Sequence, residues 1–175
     1  MARLTLNSMM PIFKKVLLFK GLSDEQLRKI IGIMHLKDIK NNELITREGA
    51  NDDSLFILLK GEVEISKSVF MLFWGEEMGH QEKSLIHLSE KDYAFFGEMA
   101  LFEDEPQRSA SIKALKPCTL AVIEKTDLLK ILNKDAAIGS IIYKNIATEL
   151  TRRLVKANKD VMKLTTAFSL ALEGD

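Results

Sequence analysis

Between residues 35 and 123 the chain is a succession of short apolar segments separated by Gly, Asn and Asp. Such segments are too short for helices that bury one face, and they are typical of antiparallel strands joined by turns. The pattern predicts strands at 44–46, 55–59, 63–65, 85–88, 111–115 and 120–123. Many short strands at this spacing predict an antiparallel sandwich or barrel.

Helical patterns flank this region on both sides. Residues 7–18 carry apolar side chains at helical spacing, and Gly21 then interrupts the pattern. Ser23 and Gln26 form a capping-box sequence that opens a second helix, which we expect to run to about Met34. A short helix over 127–132 and a long one over about 136–171 follow the strands.

Composition limits the class of protein. The chain has 175 residues, which suits one domain, and 25 Lys and Arg balance 25 Asp and Glu, so no basic field favours DNA or an anionic membrane. Its only cysteine, Cys118, lies in an apolar stretch, which indicates a small buried side chain and a reducing compartment. No signal peptide or long apolar run is evident, so we expect a cytoplasmic protein without a membrane-spanning helix.

Two short motifs carry the functional information. The first is Phe-Gly-Glu-Met-Ala-Leu at 96–101, and the second is Arg-Ser-Ala-Ser at 108–111. Gly97 permits close backbone approach, and the amides that open a helix can bind an anion. A guanidinium binds phosphate through two hydrogen bonds, while a carboxylate accepts one from a sugar hydroxyl. The set suits a small cyclic phosphate with an attached ribose.

A simpler structural interpretation stays open. The first motif is also compatible with a turn into a buried helical turn. Arg108 would then be a surface ion-pair partner of Glu103, Asp104 or Glu105.

The two motifs together resemble the phosphate-binding cassette of the cyclic nucleotide-binding domain family in its bacterial form. The stretch 48–63, with Gly49 and Gly61, resembles the same family, in which such glycines turn consecutive strands. The resemblance spans about residues 12–164. It implies a mainly β fold, a jelly-roll β-barrel with flanking N-terminal helices and a long C-terminal helix. The corresponding divisions are 1–34, 35–126 with the cassette, and 127–175.

The resemblance also implies roles for the site residues. Gly97, Glu98, Met99 and Ala100 would form the cradle, with Met99 and Ala100 contributing mainly backbone amides. Glu98 would bind the ribose 2′-hydroxyl, Arg108 the cyclic phosphate and Ser109 a phosphate oxygen. Serine after the arginine occurs in cAMP-binding bacterial activators, whereas cGMP-selective kinase domains also carry a hydroxyl there. We therefore expect cAMP as the ligand, with cGMP as the alternative.

The run Arg152-Arg153-Leu154 resembles the corresponding helix of the catabolite activator, in which side chains just beyond it touch adenine. This resemblance makes Asn158 a candidate base contact, within the chain or across a dimer. An amide can bond the adenine edge but also serves guanine. A solvent-exposed asparagine beside the helix seam is the alternative.

The long helix has an apolar seam with alternating spacings of three and four. Its members are Ala147, Leu150, Leu154, Ala157, Val161, Leu164, Phe168 and Ala171. This heptad pattern predicts a homodimer through a two-stranded coiled coil that includes Leu150, Leu154, Val161 and Leu164. A stripe packed on the chain's own β domain is the alternative, and it accounts better for Ile138, Ile141 and Ile142.

Basic side chains on the same helix are predicted to spread over a solvated face: Arg152, Arg153, Lys156, Lys159 and Lys163. Transcription-factor relatives carry a helix-turn-helix domain beyond this helix. Only Leu172-Glu173-Gly174-Asp175 follow here, so we do not expect DNA binding by this chain.

Other chemistries find no local signature. His35, His80 and His87 do not make a metal-binding spacing with one another or with Cys118, so we expect no metal. No P-loop, nucleophile elbow or zinc-protease motif is present, so we expect no enzymatic activity. The sequence therefore predicts a cyclic-nucleotide sensor that signals through its C-terminal helix to an unidentified protein. The alternatives are a dimeric scaffold that has lost the ligand and a cGMP-selective sensor.

One segment departs from the family pattern. Relatives usually have a short hairpin where this chain has an insertion at 69–83, whose first half runs Val-Phe-Met-Leu-Phe-Trp-Gly. Two interpretations stay open: a lengthened hairpin whose apolar half packs into the sandwich, or an exposed aromatic patch that binds a partner.

Overall fold

The computed structural model describes residues 6–73, 76–103 and 107–173, with side chains for all of these except residues 7, 69–81 and 173. The strands within these residues are β1 (Met34–Ile39), β2 (Leu44–Thr46), β3 (Leu55–Lys60), β4 (Glu62–Phe73), β5 (Glu76–Ser89), β6 (Phe95–Phe96), β7 (Ser111–Ala114) and β8 (Cys118–Ile123). The α-helices are α1 (Met10–Phe13), α2 (Asp24–Ile31), α3 (Lys125–Lys134) and α4 (Ala136–Glu173). Short 3₁₀ helices occupy Leu6–Met9, Leu17–Phe19, Glu90–Asp92 and Glu98–Phe102.

The strands form two antiparallel sheets that pack as a jelly roll. One sheet has the order β1-β8-β3-β6 and the other β2-β7-β4-β5. Apolar side chains from both sheets meet between them, among them Phe56, Leu58, Val63, Ile112 and Leu120. The predicted mainly β jelly roll with N-terminal helices and a long C-terminal helix is confirmed.

The position of β3 between two apolar clusters explains why its sequence is a continuous apolar run rather than an alternating one. Phe56 and Leu58 point into the barrel, whereas Leu55 and Ile57 belong to the cluster packed under the helices. Successive side chains of a strand point to opposite faces, so a strand buried on both faces needs apolar residues at every position. The helices therefore cover the outer face of this sheet.

Gly61 makes the turn between β3 and β4 with a φ of 100°. A Cβ at this position would lie 2.6 Å from both the Cys118 Sγ and the Pro117 carbonyl oxygen. The turn therefore needs glycine both for its backbone conformation and for its close approach to the β7–β8 connection. Cys118 is buried, as predicted.

The N-terminal prediction needs correction. The predicted helix over 7–18 is divided into a 3₁₀ turn, the four-residue α1 and a second 3₁₀ turn at Leu17–Phe19. Val16 adopts an extended conformation between them, and this break lets Val16 and Leu18 both become fully buried. The capping box of Ser23 and Gln26 is confirmed.

Helix α2 ends at Ile31 rather than near Met34, because the chain enters β1 at Met34. Strand β1 itself was not predicted. Lys37 and Asp38 interrupt its apolar pattern, and pairing with β8 makes it a strand. Strand β6 was also missed, since it has two residues and exists only through pairing with β3. Helices α3 and α4 extend a few residues beyond their predicted bounds.

The insertion at 69–83 is a lengthened hairpin in its backbone. Strands β4 and β5 remain paired from Glu62 and Ser89 out to Phe73 and Glu76. The side chains of 69–81, and Trp74 and Gly75 altogether, lie outside the described residues. The choice between an apolar half packed into the sandwich and an exposed aromatic patch therefore stays a prediction.

Helix α4 has a buried first half and an exposed second half. Ile138, Ile142 and Ile146 are fully buried against the helical side of the core, and Leu150 is partly buried there. Beyond this point the seam residues are exposed: Leu154 by 61%, Val161 by 59%, Leu164 by 68% and Phe168 by 66%. At 1.5 Å per residue, the part from 154 to 173 extends roughly 30 Å.

A buried asparagine ties α4 to the N-terminal segment. The Asn145 side-chain amide donates to the backbone carbonyls of Leu18 and Lys20 at 2.9 and 2.8 Å. Asn145 is only 8% exposed, so bulk water does not readily replace its amide as the hydrogen-bond donor to these two carbonyls. This contact explains a polar residue on the otherwise apolar face of α4.

We expect Asn145→Ala to destabilise the fold by about 1–3 kcal/mol, because it leaves two backbone acceptors without their donor. Urea unfolding followed by circular dichroism measures the difference. Asn158→Ala is the matched control, since Asn158 is exposed on the same helix. Equal stability of the two variants would contradict the assignment of a structural role to Asn145.

Candidate functional site

A cavity of about 310 Å³ lies between the barrel and α4. Its apolar wall includes Ile65, Leu85, Ile86, Phe96 and Ile112, and its polar groups include Glu98, Arg108 and Arg153. A cavity of this size, with an apolar wall and a few convergent charges, is typical of small-molecule sites.

Gly97 shapes one end of the cavity. It caps the 3₁₀ helix Glu98–Phe102 with a φ of 87°. A Cβ there would lie 2.5 Å from Arg108 Nη1 and 2.7 Å from the Ser54 carbonyl oxygen. Glycine is therefore required for the guanidinium of Arg108 to lie against this turn.

Arg108 is a buried cation, 5% exposed. Its Nη2 lies 2.7 Å from Asp52 Oδ2 and donates to the Ser54 carbonyl at 2.7 Å. Its guanidinium carbon lies 5.1 Å from the centre of the Phe56 ring. Arg108 is thus buried and paired with Asp52. The sequence had left open a different arrangement, a surface ion pair with Glu103, Asp104 or Glu105. Of those three, Asp104 and Glu105 lie outside the described residues.

Asp52 reaches Arg108 because two segments distant in sequence are paired. The backbone N–H of Gly49 donates to the Arg108 carbonyl, and that of Arg108 donates to the Ala50 carbonyl. Burial alone would raise the pKa of Asp52, but hydrogen bonds from Ser54 and Arg108 outweigh it and hold the pKa below its usual value. Asp52 is therefore an ionised counter-charge for Arg108.

Glu98 is a buried carboxylate, 2% exposed. Its Oε1 accepts a hydrogen bond from Arg153 Nη1 at 2.7 Å, whereas its Oε2 has no partner within the described part of the chain. Burial raises the pKa of Glu98, and the charge of Arg153 opposes this shift. A buried acceptor without a donor is rare in folded proteins, and Glu98 lines the cavity, so its carboxylate has capacity for one more hydrogen bond at this site.

Arg153 joins α4 to the wall of the cavity. Besides Glu98, it bonds Glu149 Oε1 at 2.8 Å and the Phe95 carbonyl at 2.9 Å. Burial alone would raise the pKa of Glu149, but hydrogen bonds from Arg152 and Arg153 hold it below its usual value. Arg153 is thus not part of the solvated basic face that the sequence predicted. The other four basic residues of that prediction are exposed.

The structure brings together most of the predicted site. Gly97, Glu98, Met99, Ala100, Arg108 and Ser109 all line the cavity. Asn158 does not line it, and is exposed on α4 beside Val155 and Met162. Sequence reasoning missed Asp52, whose only signal is its place in a polar turn, and it did not distinguish Arg153 from the neighbouring basic residues.

Within 6–73, 76–103 and 107–173, no three His, Cys, Asp or Glu side chains are grouped as metal ligands would be. No helix in the same ranges combines the length and the apolar character needed to span a membrane.

The chain is similar to curated proteins of two kinds. It is 35% identical over 162 residues to cGMP-dependent protein kinase 2 of Homo sapiens, which covers 91% of this chain and 20% of the kinase. It is 28% identical over 141 residues to the cAMP-activated global transcriptional regulator CRP of Pasteurella multocida, which covers 81% of this chain and 61% of the regulator. The chain therefore spans only part of the length of either protein.

Solved structures show the same architecture. The catabolite activator protein of Thermus thermophilus superposes with a TM-score of 0.70 and 26% identity over 85% of this chain and 63% of that one. The sequence profile of one family, described as cyclic nucleotide-binding domain, matches residues 36–135. That range contains nearly all of the barrel, the cavity residues Gly97, Glu98 and Arg108, and all of α3. The chain belongs to the cyclic nucleotide-binding domain family.

Proposed function

We propose that this chain is a non-catalytic regulatory module that binds a 3′,5′-cyclic nucleotide and signals through α4. The observation that carries the proposal is the pair of buried groups in one cavity: the Arg108 guanidinium and the unpartnered Oε2 of Glu98. A cyclic phosphate matches the first group and a ribose hydroxyl the second. A cytoplasmic location is part of the proposal and fits the single, buried thiol of Cys118.

Each cavity residue has a role in this proposal. Arg108 binds the cyclic phosphate, with Ser109 bonding one of its oxygens. Glu98 accepts the ribose 2′-hydroxyl on Oε2, which satisfies its unpaired oxygen. Gly97 lets the turn approach closely, and Met99 and Ala100 contribute their backbone amides. The apolar wall then receives the base.

The counter-charges provide a route for signalling. Phosphate competes with Asp52 for Arg108, and the ribose shares the carboxylate that binds Arg153 of α4. A ligand that changes the strength of the Glu98–Arg153 pair has different affinities for different positions of α4. It must therefore shift their populations, and the coupling is reciprocal.

We propose cAMP as the nucleotide and cGMP as the alternative. Ser109 lines the cavity and its hydroxyl is compatible with both, and the similar proteins carry both nucleotides in their names. Asn158 is proposed as a base contact across a homodimer, because it is exposed on the free part of α4 rather than in its own chain's cavity.

We expect Arg108→Ala to weaken cAMP binding at least tenfold, which is about 1.4 kcal/mol, because the phosphate loses a two-point cationic contact. Titration calorimetry with cAMP and with cGMP measures the affinity and the stoichiometry, expected to be one nucleotide per chain. Arg28→Ala, on the exposed face of α2, is the control and should bind as the wild type does.

Equal affinity of wild type and Arg108→Ala would refute the phosphate assignment. If the wild type binds neither nucleotide while folded, the ligand-free scaffold becomes the better description. Tighter binding of cGMP than of cAMP would keep the fold's function and reverse the proposed base.

Glu98 predicts a characteristic pH dependence of stability. Its raised pKa means that the folded protein holds this proton more tightly than the unfolded chain, whose carboxyl titrates near 4.5. Stability from this group therefore falls as pH rises from about that value through the raised pKa. We expect wild type to lose unfolding free energy relative to Glu98→Gln over this range, in urea titrations at successive pH values.

Asp52→Asn is the control of opposite sign. The pKa of Asp52 lies below its ordinary 3.8, so its stabilising contribution is present above that value and is lost as pH falls through the lowered pKa. Wild type should therefore lose stability relative to Asp52→Asn only on acidification. Parallel pH profiles for the two comparisons would contradict the assigned electrostatics.

We propose that the chain forms a parallel homodimer through the exposed seam of α4. Four apolar side chains at heptad spacing are well over half exposed there, and a second copy would bury them. The output partner that reads the position of α4 is a further protein whose identity the chain does not specify.

Leu154→Glu should convert the dimer to monomers in sedimentation velocity, because a charge would be desolvated against its symmetry mate. Val155→Glu is the matched control, since Val155 is the next residue, is 49% exposed and lies off the seam. If Asn158 binds the base across the dimer, Leu154→Glu also weakens cAMP binding. A monomeric wild type at high concentration would refute the dimer.

A further inference from the structure

Lys125 occupies an unusual position for a cation. It is the first residue of α3, where the helix dipole disfavours positive charge. Its side chain leaves its own helix, and Nζ donates to the Ala100 carbonyl at 2.8 Å and to the Glu103 carbonyl at 2.7 Å. These two short bonds hold the end of the 3₁₀ turn that begins at Glu98.

The preceding residue contacts the other side of the cavity. Glu124 Oε2 accepts a hydrogen bond from Ser54 Oγ at 3.1 Å. The Ser54 carbonyl in turn accepts from Arg108 Nη2 at 2.7 Å, and the Ser54 amide donates to Asp52. The Glu124–Lys125 step therefore contacts the segment that positions Arg108 and the turn that carries Glu98.

Helix α3 is closely packed against α4. Leu128 and Leu132 belong to the same buried cluster as Ile138 and Ile142. At Gly139 even a Cβ would lie 2.8 Å from the Leu132 carbonyl oxygen, so the backbones of the two helices approach each other closely there. Because of this close packing, the start of α3 cannot move without a matching movement of the first turns of α4.

We propose that Lys125 is a positioning residue for the nucleotide cavity. It joins the Glu98 turn to α3, whereas Arg153 joins the same turn to α4. The inference rests on the proposed function, since the ligand it serves is the cyclic nucleotide. Within the described part of the chain, the Lys125 Nζ bonds the Ala100 and Glu103 carbonyls and no group that faces the nucleotide. It acts by holding the turn's amides and the Glu98 carboxylate in the geometry that binds ribose and phosphate.

The test compares Lys125→Met, which keeps the aliphatic stem, with Lys125→Arg, which keeps the charge and the donors. Lys130→Met is the control, because Lys130 is exposed on the same helix and pairs only with Asp127 within the described residues. Amide hydrogen exchange is followed in nucleotide-free protein and with cAMP, and affinity is measured by calorimetry.

We expect Lys125→Met to speed amide exchange at least tenfold over 98–103 in the nucleotide-free protein, with little change over β3 and β8. Its cAMP affinity should fall at least fivefold, and cAMP should no longer slow exchange over 125–134. Lys125→Arg should restore most of each effect, and Lys130→Met should match the wild type.

Unchanged exchange over 98–103 in Lys125→Met overturns the positioning role, whatever the nucleotide affinity. A rise in exchange spread evenly over the whole domain also overturns it, because that result reports general destabilisation. Failure of the wild type to bind cAMP and cGMP overturns the proposed function instead, and the nucleotide-free exchange measurement separates the two results.

Discussion

The ion pair between the buried Glu98 and the partly exposed Arg153 connects the cavity of the barrel to α4. Glu98 belongs to the turn that lines the cavity, and Arg153 lies where α4 leaves the barrel. Burial makes the carboxylate costly unless it is paired, and among the residues that the structure describes only one of its oxygens has a partner. The same group therefore fixes the position of the helix and remains able to accept a further donor. The proposed binding and the proposed signalling both depend on this incomplete pairing.

The positive charge of Arg108 in the cavity is also paired with a charge from another segment. Arg108 is buried and would be unfavourable alone, and Asp52 from a distant turn neutralises it. Asp52 is itself about one-third exposed at its side chain, so water and an incoming anion can reach the pair. Each of the two site charges thus has a counter-charge from another segment of the chain, which keeps the cavity stable without a ligand.

The architecture explains why these segments converge. One face of the sheet β1-β8-β3-β6 points into the barrel, and helices cover its other face. Helices α3 and α4 follow directly from β8 and are fixed on that outer face by buried apolar residues. The start of α3 lies beside the cavity, where Lys125 reaches backbone carbonyls, whereas Arg153, near the middle of α4, reaches the Glu98 carboxylate.

Local pattern by itself determined much of this protein. Short apolar segments with turn glycines predicted the β fold, and the Ser23 capping box predicted the start of α2. The heptad spacing predicted a long helix that extends beyond the β domain. The two motifs at 96–101 and 108–111 indicated the family by resemblance and contain several of the residues that line the cavity. The strands, the capping box and the long helix follow from side-chain periodicity and backbone preference within a few residues, which sequence displays directly.

Only the tertiary structure decided the partners of the charges. Nothing local distinguishes Asp52 from Asp53, or Arg153 from Arg152, yet one of each pair enters the site. Strands β1 and β6 likewise exist because a neighbour pairs with them rather than because of their own pattern. Long-range pairing and burial select among chemically equivalent residues, and this selection depends on contacts between segments that lie 50 or more residues apart.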